Sequence, residues 1–273
     1  MKILVSIVCF INDRRLDVGS IIYATYANRL INDVVNNTDF DVRVATNRPE
    51  LFAEAVANTP DRVNILAADL SVDVISPMNV FNYLLKLYAL RDVPAQYDWV
   101  LYLDCDAGLP QPVTAQQVAN VLQFYYDAQV FPADAEIFAN RTESMPRYHI
   151  GNYEATGDDL FAAKFLCYGY TSENFPKELL DCPLPSEHFL LLKNTPGKLQ
   201  KMSVAMEQFN DRIMALRGGP RHADCLGSMS EDAFEIGLAA GMAGMKMWEA
   251  GGDLYVETLH VEFNGNAWER IKL

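Results

Sequence analysis

Tyr97-Asp98-Trp99-Val100-Leu101-Tyr102-Leu103 runs directly into Asp104-Cys105-Asp106, with Gly108 close behind. Two carboxylates spaced i, i+2 at the end of an unbroken apolar run are the residues best placed for chemistry in this chain. An apolar run without polar alternation reads as a strand buried on both faces, as in a parallel sheet. Such strands deliver functional groups at their carboxyl ends, where ligands of open α/β sheets bind. Two partly buried carboxylates side by side repel, and one takes up a proton unless a cation lies between them. Mg²⁺ or Mn²⁺ removes that repulsion and bridges carboxylate to phosphate oxygens. The competing reading is a strand end running into an Asp-rich turn, since Asp-x-Asp alone is a common tripeptide.

The elements that must position this pair alternate along the first 106 residues. Lys2–Phe10 reads as a strand, Gly19–Val35 as a helix, Asp41–Ala45 as a strand, Arg48–Ala57 as a helix and Arg62–Ala67 as a strand. Phe81, Leu84, Leu85 and Tyr88 recur at helical spacing and predict a helix over Pro77–Arg91. The Asp104 strand follows. This alternation predicts a mostly parallel, doubly wound sheet flanked by helices. Further on, Val113–Ala128 reads as a helix, Glu136–Asn140 and Glu187–Lys193 as strands, and Pro196–Arg217 as a helix stopped by Gly218-Gly219-Pro220. Ser230 is the expected N-cap of a helix running to Met247, and Tyr255–Val261 the last strand. No linker or repeat interrupts the chain, so 1–273 is expected to form a single domain.

Composition narrows the function. With 273 residues and half of them hydrophobic, the chain has enough material for one large α/β domain. A net charge of −14 opposes nucleic-acid binding and attraction to anionic membranes. No apolar run approaches the ~20 residues of a membrane span. The apolar start lacks a cleavage site and reads as a first strand rather than a signal peptide. Five widely spaced cysteines, with no C-x-x-C pair, suit reduced thiols, and a cytoplasmic location is expected.

Three pieces in this order, the strand ending Asp104-Cys105-Asp106, then Ser230-Glu231-Asp232, then His260, resemble the GT-A-fold nucleotide-sugar glycosyltransferases. The tail His260-Val261-Glu262-Phe263-Asn264-Gly265-Asn266-Ala267-Trp268 is similar to the His…Gly…Trp ending of glycogenin-like and galactosyltransferase-like members. It departs from that ending by one residue of spacing and lacks a lysine before the tryptophan. The resemblance implies a Rossmann-like GT-A fold, with 1–106 as the nucleotide-binding half and 107–273 as the acceptor-side half. It implies Mn²⁺ or Mg²⁺ held by Asp106, by Asp104 directly or through water, and by His260. Asp232, beside Glu231, would be the base that deprotonates an acceptor hydroxyl. Phe10, Asn12 and Asp13 after the first strand, Asp69 after the third, Lys86 and Gly265 would contact the nucleotide. Capping of the helix dipole is the structural alternative for Glu231 and Asp232, and a hydrogen-bonded histidine at a strand end is the alternative for His260.

The expected function is therefore metal-dependent transfer of a sugar, a hexose, from a UDP-sugar to an acceptor that is a glycan, small molecule or protein. An inverting route uses Asp232; a retaining route is the alternative, favoured by the C-terminal pattern. A sugar-1-phosphate nucleotidyltransferase ranks lower, because Ile11-Asn12-Asp13-Arg14-Arg15 lacks its Gly-rich phosphate loop. A non-catalytic nucleotide-sugar binding protein is the remaining reading.

Overall fold

The computed structural model describes residues 1–12, 18–75, 82–128, 134–140, 168–171, 173–180, 182, 189–215, 233–250 and 262–263. Strands β1 (Ile3–Val8), β2 (Asp41–Thr46), β3 (Val63–Ala67) and β4 (Trp99–Leu103) lie parallel in the order β3-β2-β1-β4. The sheet continues through β7 (Phe189–Lys193), β6 (Ala135–Asn140) and β8 (Lys246–Ala250), giving seven strands in all. β7 is antiparallel to both β4 and β6, while β6 and β8 are parallel, so four of the six pairings are parallel. A small separate ladder pairs β5 (Ala107–Gly108) antiparallel with β9 (Glu262–Phe263).

Strand parity assigns side chains to two cores. Trp99, Leu101 and Leu103 of β4 join Ile3, Val5 and Ile7 of β1 on one face. Helix α1 (Val18–Asn37) covers them with Ala24, Ala27, Leu30, Ile31 and Val34, a helical stripe, and α4 (Ala115–Asp127) adds Val118 and Leu122. Val100 and Tyr102 point the other way, into a core shared with Val8, Phe10 and the apolar faces of α5 (Lys198–Ala215) and α6 (Ala233–Met242). Two short helices, α2 (Ala53–Asn58) and α3 (Val72–Ile75), complete the first half. Among the described residues no helix is long and apolar enough to cross a membrane.

Three expectations need correction. The predicted α-helix over Pro77–Arg91 is, in its described part, a 3₁₀ segment, Tyr83–Ala89. Its residues Leu84, Leu85, Lys86, Leu87 and Ala89 are all buried, so no solvent face enforces a 3.6-residue stripe. The helix expected to reach Met247 stops at Met242. Gly244 takes φ +67, its N–H donates to the Gly241 carbonyl at 2.9 Å, and Met245 N–H donates to the Ala240 carbonyl at 2.9 Å. Those two bonds form a Schellman stop, and β8 begins two residues later. The helix expected over Arg48–Ala57 is split into a 3₁₀ turn, Pro49–Phe52, and α2. The strand expected at Tyr255–Val261 lies outside the described residues.

Candidate functional site

The chain passes from β1 outward to β2 and β3, then returns to place β4 on the opposite side of β1. The strand order therefore reverses between β1 and β4, and crevices at such switch points are where open α/β sheets bind ligands. The β1–β4 register runs to Ile7↔Leu103. Beyond it, Cys9, Phe10, Ile11 and Asn12 leave one strand, and Asp104, Cys105 and Asp106 leave the other. The Asp pair thus sits on one lip of the switch-point crevice and the residues after β1 on the other.

Parity sends Asp104 toward the 3₁₀ face, on the same side as Tyr102, and Cys105 toward the α1 face, on the same side as Cys9. Asp104 Oδ1 accepts a hydrogen bond from the Tyr102 hydroxyl and lies 3.3 Å from the Lys86 ammonium. Lys86 is only 6 % exposed. Its ammonium also lies 5.7 Å from the Tyr83 ring centre and 5.5 Å from that of Tyr102. A carboxylate and two aromatic faces together offset the cost of burying that cation. Lys86 is thus no surface lysine with its head in water, and its ammonium faces Asp104.

The segment that carries Lys86 is fixed at both ends. Asn82, fully buried, accepts from Leu84 N–H at 3.2 Å and donates to Val74 carbonyl at 3.0 Å and to Asn210 Oδ1 of α5 at 2.6 Å. At the far end Arg43 of β2 donates to the carbonyls of Ala89, Arg91 and Asp92 at 2.8, 2.8 and 3.2 Å. This brace makes Lys86 a preset charge rather than a mobile one.

On the opposite face the Cys105 thiol is hydrogen-bonded with Cys9. That bond, then burial, then the nearby Cys9, Asp104 and Asp106 push the Cys105 thiol well above its ordinary pKa. Cys9, Cys105 and Cys182 are free thiols; Cys167 and Cys225 lie outside the described residues. After β1, Asn47 bridges the chain reciprocally: it accepts from Ile11 N–H at 2.8 Å and donates to Ile11 carbonyl at 3.0 Å. Asn12 is buried at 7 % exposure. Phe10 is 5 % exposed and packs edge-on against Tyr88 with ring centres 5.3 Å apart, so its side chain belongs to the core. Asp69 is exposed, just past the end of β3, two strands away from β1.

Asp13, Glu231, Asp232, His260 and Gly265 lie outside the described residues. The β5–β9 ladder nonetheless brings Glu262 and Phe263 beside this site, because Ala107 pairs with Phe263 and Gly108 with Glu262 immediately after Asp106. Among the described residues no group of three or more His, Cys, Asp or Glu side chains is gathered as a metal centre. The donor chemistry of Asp104 and Asp106 fits a hard divalent ion. Because Oδ1 of Asp104 already meets Tyr102 and Lys86, a metal contact from that residue would come through Oδ2 or a bridging water. Tyr102, Tyr83, Cys9 and Asn47 were not singled out from the sequence. Only Tyr102 carried a readable signal, its place two residues before Asp104 on one strand face.

No protein-family description matches the sequence. No curated protein matches it either. Among solved structures the chain is similar to mouse xyloside xylosyltransferase 1 in its apo form, with a TM-score of 0.41 at 10 % identity over 92 % of this chain and 85 % of that one. At that score the likeness carries no inference about the site.

Proposed function

We propose that the chain is a metal-dependent glycosyltransferase that moves a hexose from a UDP-sugar to an acceptor hydroxyl. The observation that carries this reading is the Asp104–Asp106 pair at the carboxyl end of β4, across the switch-point crevice from the residues that follow β1. Asp106, with Asp104 directly or through water and His260 from the returning tail, would hold Mn²⁺ or Mg²⁺. When bound, the metal supplies positive charge against the leaving nucleoside diphosphate. Lys86 lies 3.3 Å from Asp104 Oδ1 and would add a fixed cation beneath the phosphates. Asn12 would contact the nucleotide beside β1, with Asp13 next to it, Asp69 beyond and Gly265 in the tail. Asp232, next to Glu231, would accept the proton of the acceptor hydroxyl in an inverting reaction.

A panel of UDP-sugars scored by UDP release, with Mn²⁺ and with excess EDTA, tests the reading, and NMR of the product linkage reports its stereochemistry. Asp106→Ala should abolish turnover while the melting temperature holds. Asp232→Asn should lower turnover by at least ~10²-fold at unchanged donor affinity. Full turnover in EDTA would refute the metal, and an active Asp232→Asn would point to the retaining route. Donor binding without turnover would leave a nucleotide-sugar binding protein.

A further inference from the structure

Buried polar side chains are hydrogen-bonded almost without exception, and two atoms of this core are not. Among the described residues, Ser6 Oγ and Arg43 Nε are buried with no partner. They belong to neighbours, since Ser6 of β1 and Arg43 of β2 are Cα partners in the parallel register. Adjacent strands lie ~4.8 Å apart, and residues paired across them send their side chains to the same face. That face is the one covered by the 3₁₀ segment, which packs on both β1 and β2. Ser6 is fully buried and Arg43 nearly so.

The charge of Arg43 is matched no better than its Nε. Its other N–H groups donate to the carbonyls of Ala89, Arg91 and Asp92, which are neutral. Among the described residues no carboxylate forms an ion pair with it. The Asp92 carboxylate is largely exposed and lies 3.6 Å from Arg91 instead. On the other side of Ser6 its β4 partner is Tyr102, whose hydroxyl donates to Asp104, and Asp104 lies 3.3 Å from the Lys86 ammonium. Burial lowers the Arg43 pKa, and Asp92 and Tyr97 offset only part of that effect. A buried cation without a counter-charge is costly. A water at this position would need acceptors for its own two hydrogens, and of the two orphaned atoms only Ser6 Oγ can accept. A halide needs none. It accepts from the hydroxyl and from Nε–H, and it supplies the negative charge that Arg43 lacks.

We propose that Ser6 and Arg43 together hold a small monovalent anion, chloride in solution, between β1 and β2 beneath the 3₁₀ segment. The proposal goes beyond the glycosyltransferase reading and does not depend on it. Arg43 ties the anion to the carbonyl that ends the covering segment, Ala89. The anion therefore stabilises the segment that carries Lys86, and takes no part in the chemistry at Asp104 and Asp106.

The test compares the full chain, wild type and Ser6→Ala, refolded from denaturant in the sodium salt of gluconate, chloride, bromide or sulfate at one ionic strength. Refolding lets the anion reach residues that are closed from solvent in the native state. Chloride and bromide should raise the wild-type melting temperature by about 2–4 °C over gluconate, saturating with concentration, and the larger sulfate should not. Ser6→Ala removes one hydroxyl and leaves Arg43 its carbonyl bonds, so it should fold in gluconate and lose the halide-specific rise. Crystals grown in bromide should give their anomalous peak between Ser6 Oγ and Arg43 Nε. The proposal is overturned if halides act no differently from gluconate, or if the map shows only water between the two atoms. It is equally overturned if Ser6→Ala keeps the full rise, which would place the anion elsewhere.

Discussion

Lys86 and Asp104 show what single residues contribute at the switch point. Their contact at 3.3 Å is largely removed from water, with side-chain exposures of 7 % and 20 %. Lys86→Met keeps the stem but leaves Asp104 with its charge and only the Tyr102 hydroxyl among these partners. Removing one partner of a buried pair costs several kcal/mol, and the residual exposure of Asp104 brings the expected loss toward ~3 kcal/mol. Chemical denaturation of Lys86→Met, Asp104→Asn and the double variant measures it. The double variant should be less destabilised than the sum of the singles, and strict additivity would show that the two do not interact. Cys105 makes the second residue-scale point. A thiol held protonated by Cys9 and by burial is a poor nucleophile. Iodoacetamide at neutral pH should therefore leave Cys105 unmodified in the folded protein and label it after denaturation, as read by peptide mass spectrometry. Rapid native labelling would mean that the Cys9 contact does not persist in solution.

Elements explain which parts of this fold could be read in advance. The strand ending at Asp104 was legible because burial on both faces writes a continuous apolar run, and its carboxylates are the first residues to break it. The 3₁₀ segment was not, because Phe81, Leu84, Leu85 and Tyr88 satisfy an α-helical spacing while burial of Lys86 depends on Asp104, eighteen positions away in sequence. β8 was hidden for a different reason. Gly237, Gly241 and Gly244 look like one small-residue helix face, yet only Gly244 has positive φ, and a stop of that kind is set by backbone conformation rather than composition. A Cβ on Gly244 meets nothing within 4 Å, so Gly244→Ala isolates the backbone effect. Placing an L side chain in the left-handed region should cost ~1–2 kcal/mol. Thermal denaturation should show that loss, and an unchanged melting temperature would mean that the turn between α6 and β8 finds another conformation. By contrast, the roles of Asp232 and His260 were read from motif order alone, and the pairing of Ala107 with Phe263 and Gly108 with Glu262 places only those two residues near the Asp pair.

At the scale of the whole molecule, two polar clusters in the second half set how stability responds to pH. Glu136 of β6 accepts from Lys198 at 2.5 Å and from the Thr195 hydroxyl at 2.6 Å, and Lys198 also donates to the Gly244 carbonyl at 2.9 Å. This clasp joins β6, the start of α5 and the turn before β8. Burial raises the Glu136 carboxyl, but the bonds from Lys198 and Thr195 outweigh it and hold the group below its ordinary pKa. Tyr168 donates to Glu235 of α6 at 2.5 Å, and burial, reinforced by that carboxylate, lifts its hydroxyl well above the ordinary tyrosine value. The signs follow from linkage. A depressed carboxyl contributes stability above its unfolded pKa of ~4.3 and loses it as pH falls through the folded value. A raised phenol contributes stability below ~10 and loses it as pH rises beyond, because the unfolded chain ionises first. Tyr23, Tyr97 and Tyr126 are raised as well and steepen the alkaline limb. Melting temperature against pH should therefore be flat across the neutral range and fall at both ends. Glu136→Gln should lower the neutral plateau and converge on wild type in acid. Tyr168→Phe should lower the plateau, by leaving Glu235 without that donor, and soften the alkaline fall. A Glu136→Gln deficit that persists undiminished well below pH ~4 would show that its contribution comes from shape and packing rather than from the charge that Lys198 holds in place.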